Sequence, residues 1–106
     1  SEKVFIKEYS DSFVGTDLTE YLKSKGIDTT IVVDMMIHSC VSATAYSSTD
    51  LDFKTIVVDE AVNTVDLKHN DNEVIPAEVL KKSFLAGIQF SYVKFKTMTQ
   101  ILNNDY

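Results

Sequence analysis

Two runs of β-branched residues, separated by a stretch of small residues, restrict this chain to few folds. The runs are DTTIVVDMM at 28–36 and FKTIVVDEA at 53–61, and both are continuous rather than alternating. Continuous runs of this kind are typical of strands buried on both faces of a parallel sheet. Between them, SCVSATAYSSTDL at 39–51 suits a helix packed closely on that sheet. The pattern therefore predicts a strand–helix–strand unit.

The segment before this unit continues the alternation toward the N-terminus. KVFIKEY at 3–9 alternates well enough to predict a strand. GTDLTEYLKSKG at 15–26 predicts a short helix, with Thr16 as its N-cap and Gly26 at the left-handed position after its end.

The segment after the unit predicts one long helix and a short strand. Residues 63–76 are polar and uneven, which indicates a loop or an irregular connection. Residues 77–93 predict a helix whose inner face carries Leu80, Phe84 and Ile88. Residues 94–102 predict a last strand and a helical tail. The order β-α-β-α-β-α-β predicts a single α/β domain over 1–106, with a parallel sheet and helices on both faces.

Composition excludes several classes of partner. The chain has 106 residues and a formal charge of −6, with sixteen acidic residues against ten lysines and no arginine. This balance argues against a nucleic-acid partner, since phosphate backbones are bound by clustered basic residues. No apolar run approaches the roughly 20 residues of a membrane helix, and the first ten residues lack the apolar core of a signal peptide. A single cysteine favours a reducing compartment, with the cytoplasm as the default expectation.

That cysteine, Cys40, occupies a position suited to chemistry. It follows the 28–36 strand and begins a helix, and sites in parallel α/β sheets gather at the carboxyl ends of strands. The N–H groups and positive dipole of a helix N-terminus favour a thiolate, which is the nucleophilic form of cysteine. The alternative is that Cys40 only packs, since cysteine is among the most buried residue types. Position alone leaves both alternatives open.

A family resemblance favours the reactive alternative. Lys7 precedes SDSFVGT at 10–16, and a strand then leads into MMIHSCV at 35–41. Taken in order, residues 7–64 resemble the second half of an isochorismatase-like cysteine hydrolase. The downstream segments VVDEAVNTVDL and VIPAEVLKKSFLAGIQFSYVKF also resemble the branch of that family without an obvious metal site.

The resemblance implies a Rossmann-like three-layer α/β/α fold and a triad of Asp, Lys and Cys. Cys40 would attack a carbonyl, and Lys7 would stabilise its thiolate. An aspartate would shuttle the proton. Backbone N–H groups of Met36 and Cys40 would hold the oxyanion, beside a cis peptide bond between Met35 and Met36. The metal-free branch implies neither a metal nor a cofactor.

The sequence departs from the family in two respects. The family's aspartate and metal ligands lie upstream of the lysine motif, on first strands that this sequence lacks. The chain is therefore the C-terminal portion of a hydrolase domain or a half-length relative without activity, and the first alternative is favoured. Either should oligomerise, swap strands or bind its missing half through an open sheet edge. Asp34, Ile37 and Glu60 replace the usual Gly, Thr and Asp. Asp34 is either an exposed loop residue or a carboxylate near the sulfur.

Three further residues have more than one interpretation, and a fourth, His69, has one. Phe13 suits a pocket wall or the core equally well. His38 lies two residues from Cys40, but such neighbours at a strand–helix turn rarely face each other, so pocket lining or exposure is favoured over a Cys–His dyad. Tyr46 borders the site or an interface. His69 is expected in solvent. One cysteine and two separated histidines give no zinc spacing.

The functional hypothesis is hydrolysis of a non-peptide C–N amide bond in a small molecule by a homo-oligomer. We expect little activity from these 106 residues alone because the aspartate is missing. The competing hypothesis is a non-catalytic half-domain that binds a partner through its sheet edge. An unrelated flavodoxin-like domain is disfavoured, since Gly15, Gly26 and Gly87 are isolated and form no phosphate-binding loop. The sequence does not identify the substrate.

Overall fold

Three parallel strands form a sheet against which the helices of this chain pack. The structure is a computed structural model and describes residues 2–91 and 93–106. The elements, in chain order, are α1 (Leu18–Ser24), β1 (Thr29–Met35), a π-helical turn (Ile37–Val41), α2 (Ser42–Asp50), β2 (Lys54–Asn63), β3 (Leu67–His69), β4 (Glu73–Ile75), α3 (Ala77–Phe90), β5 (Lys94–Lys96) and α4 (Met98–Leu102).

The central strand of the sheet is β2, which pairs in parallel with β1 on one side and β5 on the other. Its residues Ile56, Val57 and Val58 are all buried, as predicted for a continuous β-branched run. The same prediction is wrong for β1, where Ile31 is 38% and Val33 54% exposed. Among the described residues β1 pairs with a strand on one side only. At this edge of the sheet, the side chains of Ile31 and Val33 stay exposed.

Helices lie on both faces of the sheet, which confirms the predicted α/β class. The side chains of Val32 and Val57 point toward α2 and α3 and belong to the main core. Its members are buried and apolar: Val32, Ile37, Val41, Ala45, Val57, Val62, Leu85, Ile88 and Val93. On the opposite face α4 and the C-terminal residues pack over β2, where the Lys54 amine donates to the Tyr106 carbonyl at 2.9 Å.

The first predicted strand is absent. Residues 3–9 form neither strand nor helix, and Val4 and Ile6 are 80% and 87% exposed. A strand needs a hydrogen-bonded neighbour, and no strand of the described residues runs beside this segment. Phe5 instead packs edge-on against Tyr21 of α1, with ring centroids 5.3 Å apart.

Two further predictions need correction in detail. The polar segment 63–76 contains a short antiparallel hairpin of β3 and β4, because Asn70 takes a positive φ of 63° at its turn. The N-cap of α1 is Asp17 rather than Thr16. The Thr16 hydroxyl donates to the Ser12 carbonyl at 2.7 Å and accepts the Leu18 N–H at 3.4 Å. Gly26 ends this helix with a φ of 69°, as predicted.

Within the described ranges, none of the helices combines the length and the apolar character that crossing a membrane requires.

The buried contact between α3 and the sheet leads to a stability prediction. Ile88 is completely buried, so Ile88→Ala should lower the free energy of unfolding by about 3 kcal/mol, through lost burial and the cavity left behind. Leu102→Ala removes a side chain that is 74% exposed and should change it by less than about 0.5 kcal/mol. Urea unfolding of both variants measures the difference. Equal midpoints would contradict this description of the core.

Candidate active site

Cys40 lies in the turn that connects β1 to α2. The peptide bond between Met35 and Met36 is cis, as the resemblance implied, and the π-helical turn begins at the next residue. Ile37 and Val41 of this turn are completely buried and anchor it in the core. Cys40 itself is only partly buried, with a free thiol. The sulfur is therefore held by a rigid turn but remains accessible.

The amine of Lys7 lies beside this sulfur. Its Nζ donates to the carbonyl oxygens of Tyr9 at 2.8 Å and Ser10 at 3.2 Å, and it lies 3.7 Å from the Cys40 Sγ. An ammonium group has three donors, and the two carbonyls use two of them. The amine is consequently oriented toward the sulfur, although Lys7 and Cys40 are 33 positions apart in the sequence.

A row of polar contacts fixes the segment 10–16 against the start of α2. The members of each pair lie far apart in sequence, and the pairs are Ser10 with Ser39, Asp11 with Ser47, and Ser12 with Thr44. The hydroxyls of the first pair are 3.0 Å apart, and the Ser12 N–H donates to the Thr44 Oγ1 at 3.0 Å. These contacts hold the carbonyls that orient Lys7. Sequence reasoning missed them, although the many hydroxyl residues of 39–49 were a visible signal.

Gly15 completes this segment. Its φ of 68° is a conformation that side chains rarely adopt, and a Cβ at this position would lie 3.3 Å from the Tyr9 ring. Glycine therefore allows the turn to close while the ring of Tyr9 packs against it. The carbonyl of that same tyrosine is one of the two acceptors for the Lys7 amine.

A cavity of about 200 Å³ opens beside Cys40, between α1, α2 and the unpaired edge of β1. Phe13 forms one wall and also stacks on Phe53, with ring centroids 5.9 Å apart, so it serves both the pocket and the packing. Asp34 also lines this cavity, and its side chain is exposed to solvent. The remaining lining is mostly apolar: Leu18, Leu22, Ile31, Val32 and Val33, with Ser12, Thr30 and Thr44.

Two candidate pocket residues lie elsewhere. The His38 Nδ1 hydrogen-bonds the Thr64 Oγ1 at 2.8 Å, and its ring faces Phe84. Tyr46 lies in a groove against α3 and is 39% exposed. Neither lines the cavity at Cys40, because residues on successive positions of this turn and helix point in different directions.

The backbone around Met36 belongs to the same turn as Cys40. The carbonyl of Met36 accepts hydrogen bonds from the N–H groups of Ser39 and Val41, at 3.1 and 3.3 Å. The assignment of oxyanion donors to Met36 and Cys40 stays a prediction.

Glu60 accepts the N–H of Met98 at 2.7 Å and so orders the start of α4, while His69 is exposed near Glu73.

The charged group in contact with the sulfur, among the described residues, is the Lys7 amine. Across residues 2–91 and 93–106, no carboxylate lies within ion-pair distance of Lys7 or hydrogen-bond distance of Cys40, and no three His, Cys, Asp or Glu side chains converge as a metal centre would need. A cysteine sulfur beside an ammonium group can attack an electrophilic carbon as a thiolate. A complete hydrolytic cycle also needs a group that moves protons.

Comparison with known sequences identifies relatives over nearly the whole chain. The sequence model of the Isochorismatase domain matches residues 1–80. The uncharacterised isochorismatase family protein YddQ of Bacillus subtilis is 33% identical over 101 residues, which are 95% of this chain and 56% of that protein. A maleamate amidohydrolase of Pseudomonas putida is 33% identical over 70 residues, 66% of this chain and 32% of that enzyme.

Comparison with solved structures gives the same result. A crystal structure of an isochorismatase from Pseudomonas putida superposes with a TM-score of 0.88 at 29% identity, covering 94% of this chain and 51% of that one. The chain thus spans about half the length of the relatives it matches.

The contact between Lys7 and Cys40 predicts a reactive thiol. Lys7→Met should slow alkylation of Cys40 by iodoacetamide about tenfold, because the positive charge that stabilises the attacking anion is lost. Lys3→Met removes another lysine of the same segment and should leave the rate unchanged, and Lys7→Arg should retain most of it. Mass spectrometry of the modified chain over time measures these rates. Equal rates for Lys7→Met and Lys3→Met would contradict the interaction.

Proposed function

This chain belongs to the isochorismatase family, and from that membership we propose that it supplies the nucleophile of a cysteine hydrolase. The nucleophile is Cys40, and Lys7 stabilises its anionic form. The observation that supports this assignment most strongly is the 3.7 Å contact between the lysine amine and the sulfur, with the amine held by two carbonyls. A lysine whose only role was to keep the surface soluble would not need two backbone carbonyls to fix its amine.

The proposed reaction has two stages. The Cys40 thiolate attacks the carbonyl carbon of an amide, and backbone N–H groups of Met36 and Cys40 hold the oxyanion. A carboxylic acid then protonates the nitrogen, the C–N bond breaks, and a thioester with Cys40 remains. In the second stage the resulting carboxylate takes a proton from water, the hydroxide attacks the thioester, and the C–S bond breaks to restore the thiolate.

We propose that the required carboxylate belongs to polypeptide that pairs with the free edge of β1. That edge borders the cavity beside Cys40, and its residues Ile31 and Val33 are exposed on the uncovered face. The relatives contain about as much chain again as the part matched here. In this proposal residues 1–106 are the C-terminal portion of one hydrolase domain. Asp34 faces the same cavity and is the second candidate for the proton-transfer role.

The substrate class proposed is a small molecule with a non-peptide amide bond. The cavity of about 200 Å³ has room for a compact group, and its walls are mostly apolar. One relative is a maleamate amidohydrolase, which favours small primary amides as first probes. A nucleophilic thiol must also stay reduced, so we propose a reducing compartment such as the cytoplasm.

A second candidate function is a non-catalytic module that binds a partner through β1. The exposure of Val33 at 54% and Met35 at 54% on this edge strand favours it. In that case Cys40→Ala would leave partner binding intact, and no longer form of the protein would hydrolyse an amide.

Substitution of the nucleophile tests the catalytic proposal. In a protein that contains the carboxylate-bearing segment, Cys40→Ala should lower the rate of ammonia release from maleamate and related primary amides to background, because no thioester can form. Gln89→Ala changes an exposed residue of α3 and should retain the rate. Turnover by the Cys40→Ala variant at the rate of the Gln89→Ala variant would refute the assignment.

The 106-residue chain alone provides the complementary measurement. We expect its thiol to be alkylated normally while it releases no measurable ammonia from the same amides, because the carboxylate that we propose for proton transfer lies outside these residues. Incubation of the chain with each amide and a coupled ammonia assay gives the rate. Sustained hydrolysis by this chain would show that Asp34 or another group of these residues performs the proton transfer. The Asp34→Asn variant would then distinguish Asp34 from another group.

A further inference from the structure

The turn that bears Cys40 depends on contacts with neighbouring elements. It is π-helical over Ile37–Val41, and the N–H groups of Ser39 and Val41 share one acceptor, the carbonyl of Met36. Turns of this kind are rare and occur mostly at functional sites. A helical segment of five residues is also too short to be stable on its own. Side-chain contacts from outside the turn therefore determine where the sulfur lies.

Two such contacts hold the turn from different sides. Ser39 contacts Ser10, with the hydroxyl oxygens 3.0 Å apart, and Ser10 belongs to the segment that orients the Lys7 amine. The second contact joins the His38 Nδ1 to the Thr64 Oγ1 at 2.8 Å. Neighbouring residues of a helical turn point in clearly different directions. The two contacts together therefore oppose rotation of the turn about its axis.

Thr64 is itself held firmly. It is only 7% exposed and directly follows β2, whose last residue Asn63 pairs with Met35 at the end of β1. One residue earlier, the Val62 carbonyl accepts a hydrogen bond from the Lys81 amine of α3 at 3.2 Å. The end of β2 is thus attached to β1 and to α3. It presents the Thr64 hydroxyl to His38 from a fixed position.

The ring of His38 is held between this hydroxyl and α3. It is partly buried, and its centroid lies 6.3 Å from that of Phe84 with the two rings tilted by 58°. The lining of the cavity beside Cys40 does not include His38. The histidine is therefore placed to connect the turn to β2 and α3 rather than to contact a molecule in the cavity.

We propose that His38 and Thr64 are positioning residues for the Cys40 thiolate. Their hydrogen bond keeps the turn in the orientation that places the sulfur 3.7 Å from the Lys7 amine. Without it the turn moves more freely, the sulfur spends less time beside the amine, and the thiolate is stabilised less. This inference rests on the proposed roles of Lys7 and Cys40. It adds the end of β2 to the two chain segments that carry those residues.

Removal of the Thr64 hydroxyl tests the proposal. Thr64→Val has nearly the same shape but cannot bond the histidine, so alkylation of Cys40 by iodoacetamide at neutral pH should slow about fivefold, the effect of one net hydrogen bond on an equilibrium. Thr64→Ser keeps a hydroxyl and should retain at least about half of the rate. His38→Phe retains a ring against Phe84 but loses the nitrogen, and it should slow the reaction as much as Thr64→Val.

Thr55→Val is the matched control for lost stability. It makes the same change at a buried residue near the other end of β2, where the Thr55 hydroxyl donates to the Ser48 Oγ at 2.7 Å. It should lower the urea midpoint of unfolding by an amount comparable to Thr64→Val, yet leave the alkylation rate of Cys40 unchanged. Equal alkylation rates for Thr64→Val and Thr55→Val would overturn the proposal.

A double-mutant cycle with Lys7→Met shows whether the effect passes through the lysine. In the Lys7→Met background, Thr64→Val should slow alkylation less than about twofold, because no ammonium group remains beside the sulfur. The same slowing in both backgrounds would contradict a positioning role. If Lys7→Met alone leaves the rate unchanged, the proposed stabilisation of the thiolate fails, and this inference fails with it. If only the effect of Thr64→Val is missing, the stabilisation by Lys7 stands and the inference alone is refuted.

Discussion

The position of the Lys7 amine depends on the hydroxyl contacts that fix residues 10–16 against the start of α2. A free lysine side chain has about 2 kcal/mol of rotamer entropy, which opposes any single orientation. Two carbonyl acceptors offset this cost only because the contacts Ser10–Ser39 and Ser12–Thr44 hold those carbonyls in place. Each such hydrogen bond contributes about 1 kcal/mol, so no single one is decisive. The geometry at Cys40 is a property of the whole polar row.

The sheet shows how neighbours, rather than local sequence, determine burial. The pentapeptide TIVVD occurs twice, at 30–34 in β1 and at 55–59 in β2. The first three residues of the two copies pair with each other before the register shifts between Val32 and Asp34. In β2 the isoleucine is fully buried, whereas the equivalent Ile31 in β1 is 38% exposed. The difference arises because β2 has strands on both sides and is covered by α4, while β1 has one neighbour among the described residues. Identical residues here have different environments.

This contrast indicates which features the sequence could predict. Both β-branched strands, the helix after Cys40 and the long α3 follow from composition and period, and the structure confirms them. Segment 3–9 has a strand pattern but no neighbour to pair with, and no local signal reports that. The proximity of Lys7 to Cys40 came from the family resemblance, since spacing alone cannot predict a contact over 33 residues. His38 and Tyr46 were near Cys40 in sequence, but the directions of their side chains depend on tertiary contacts with Thr64 and α3.

In the part of the chain that the structure describes, the edge strand β1 and helix α3 approach the Cys40 turn from different sides. The edge of β1 borders the cavity beside Cys40, whereas α3 contacts α2 and the turn from the other direction, near His38 and Phe84. A strand added at β1 would extend the sheet sideways, on the side of the turn away from α3. Between them, Ile37 and Val41 anchor the turn that bears the sulfur. The turn that bears the sulfur is therefore held from inside the core, independently of what pairs with the edge of β1.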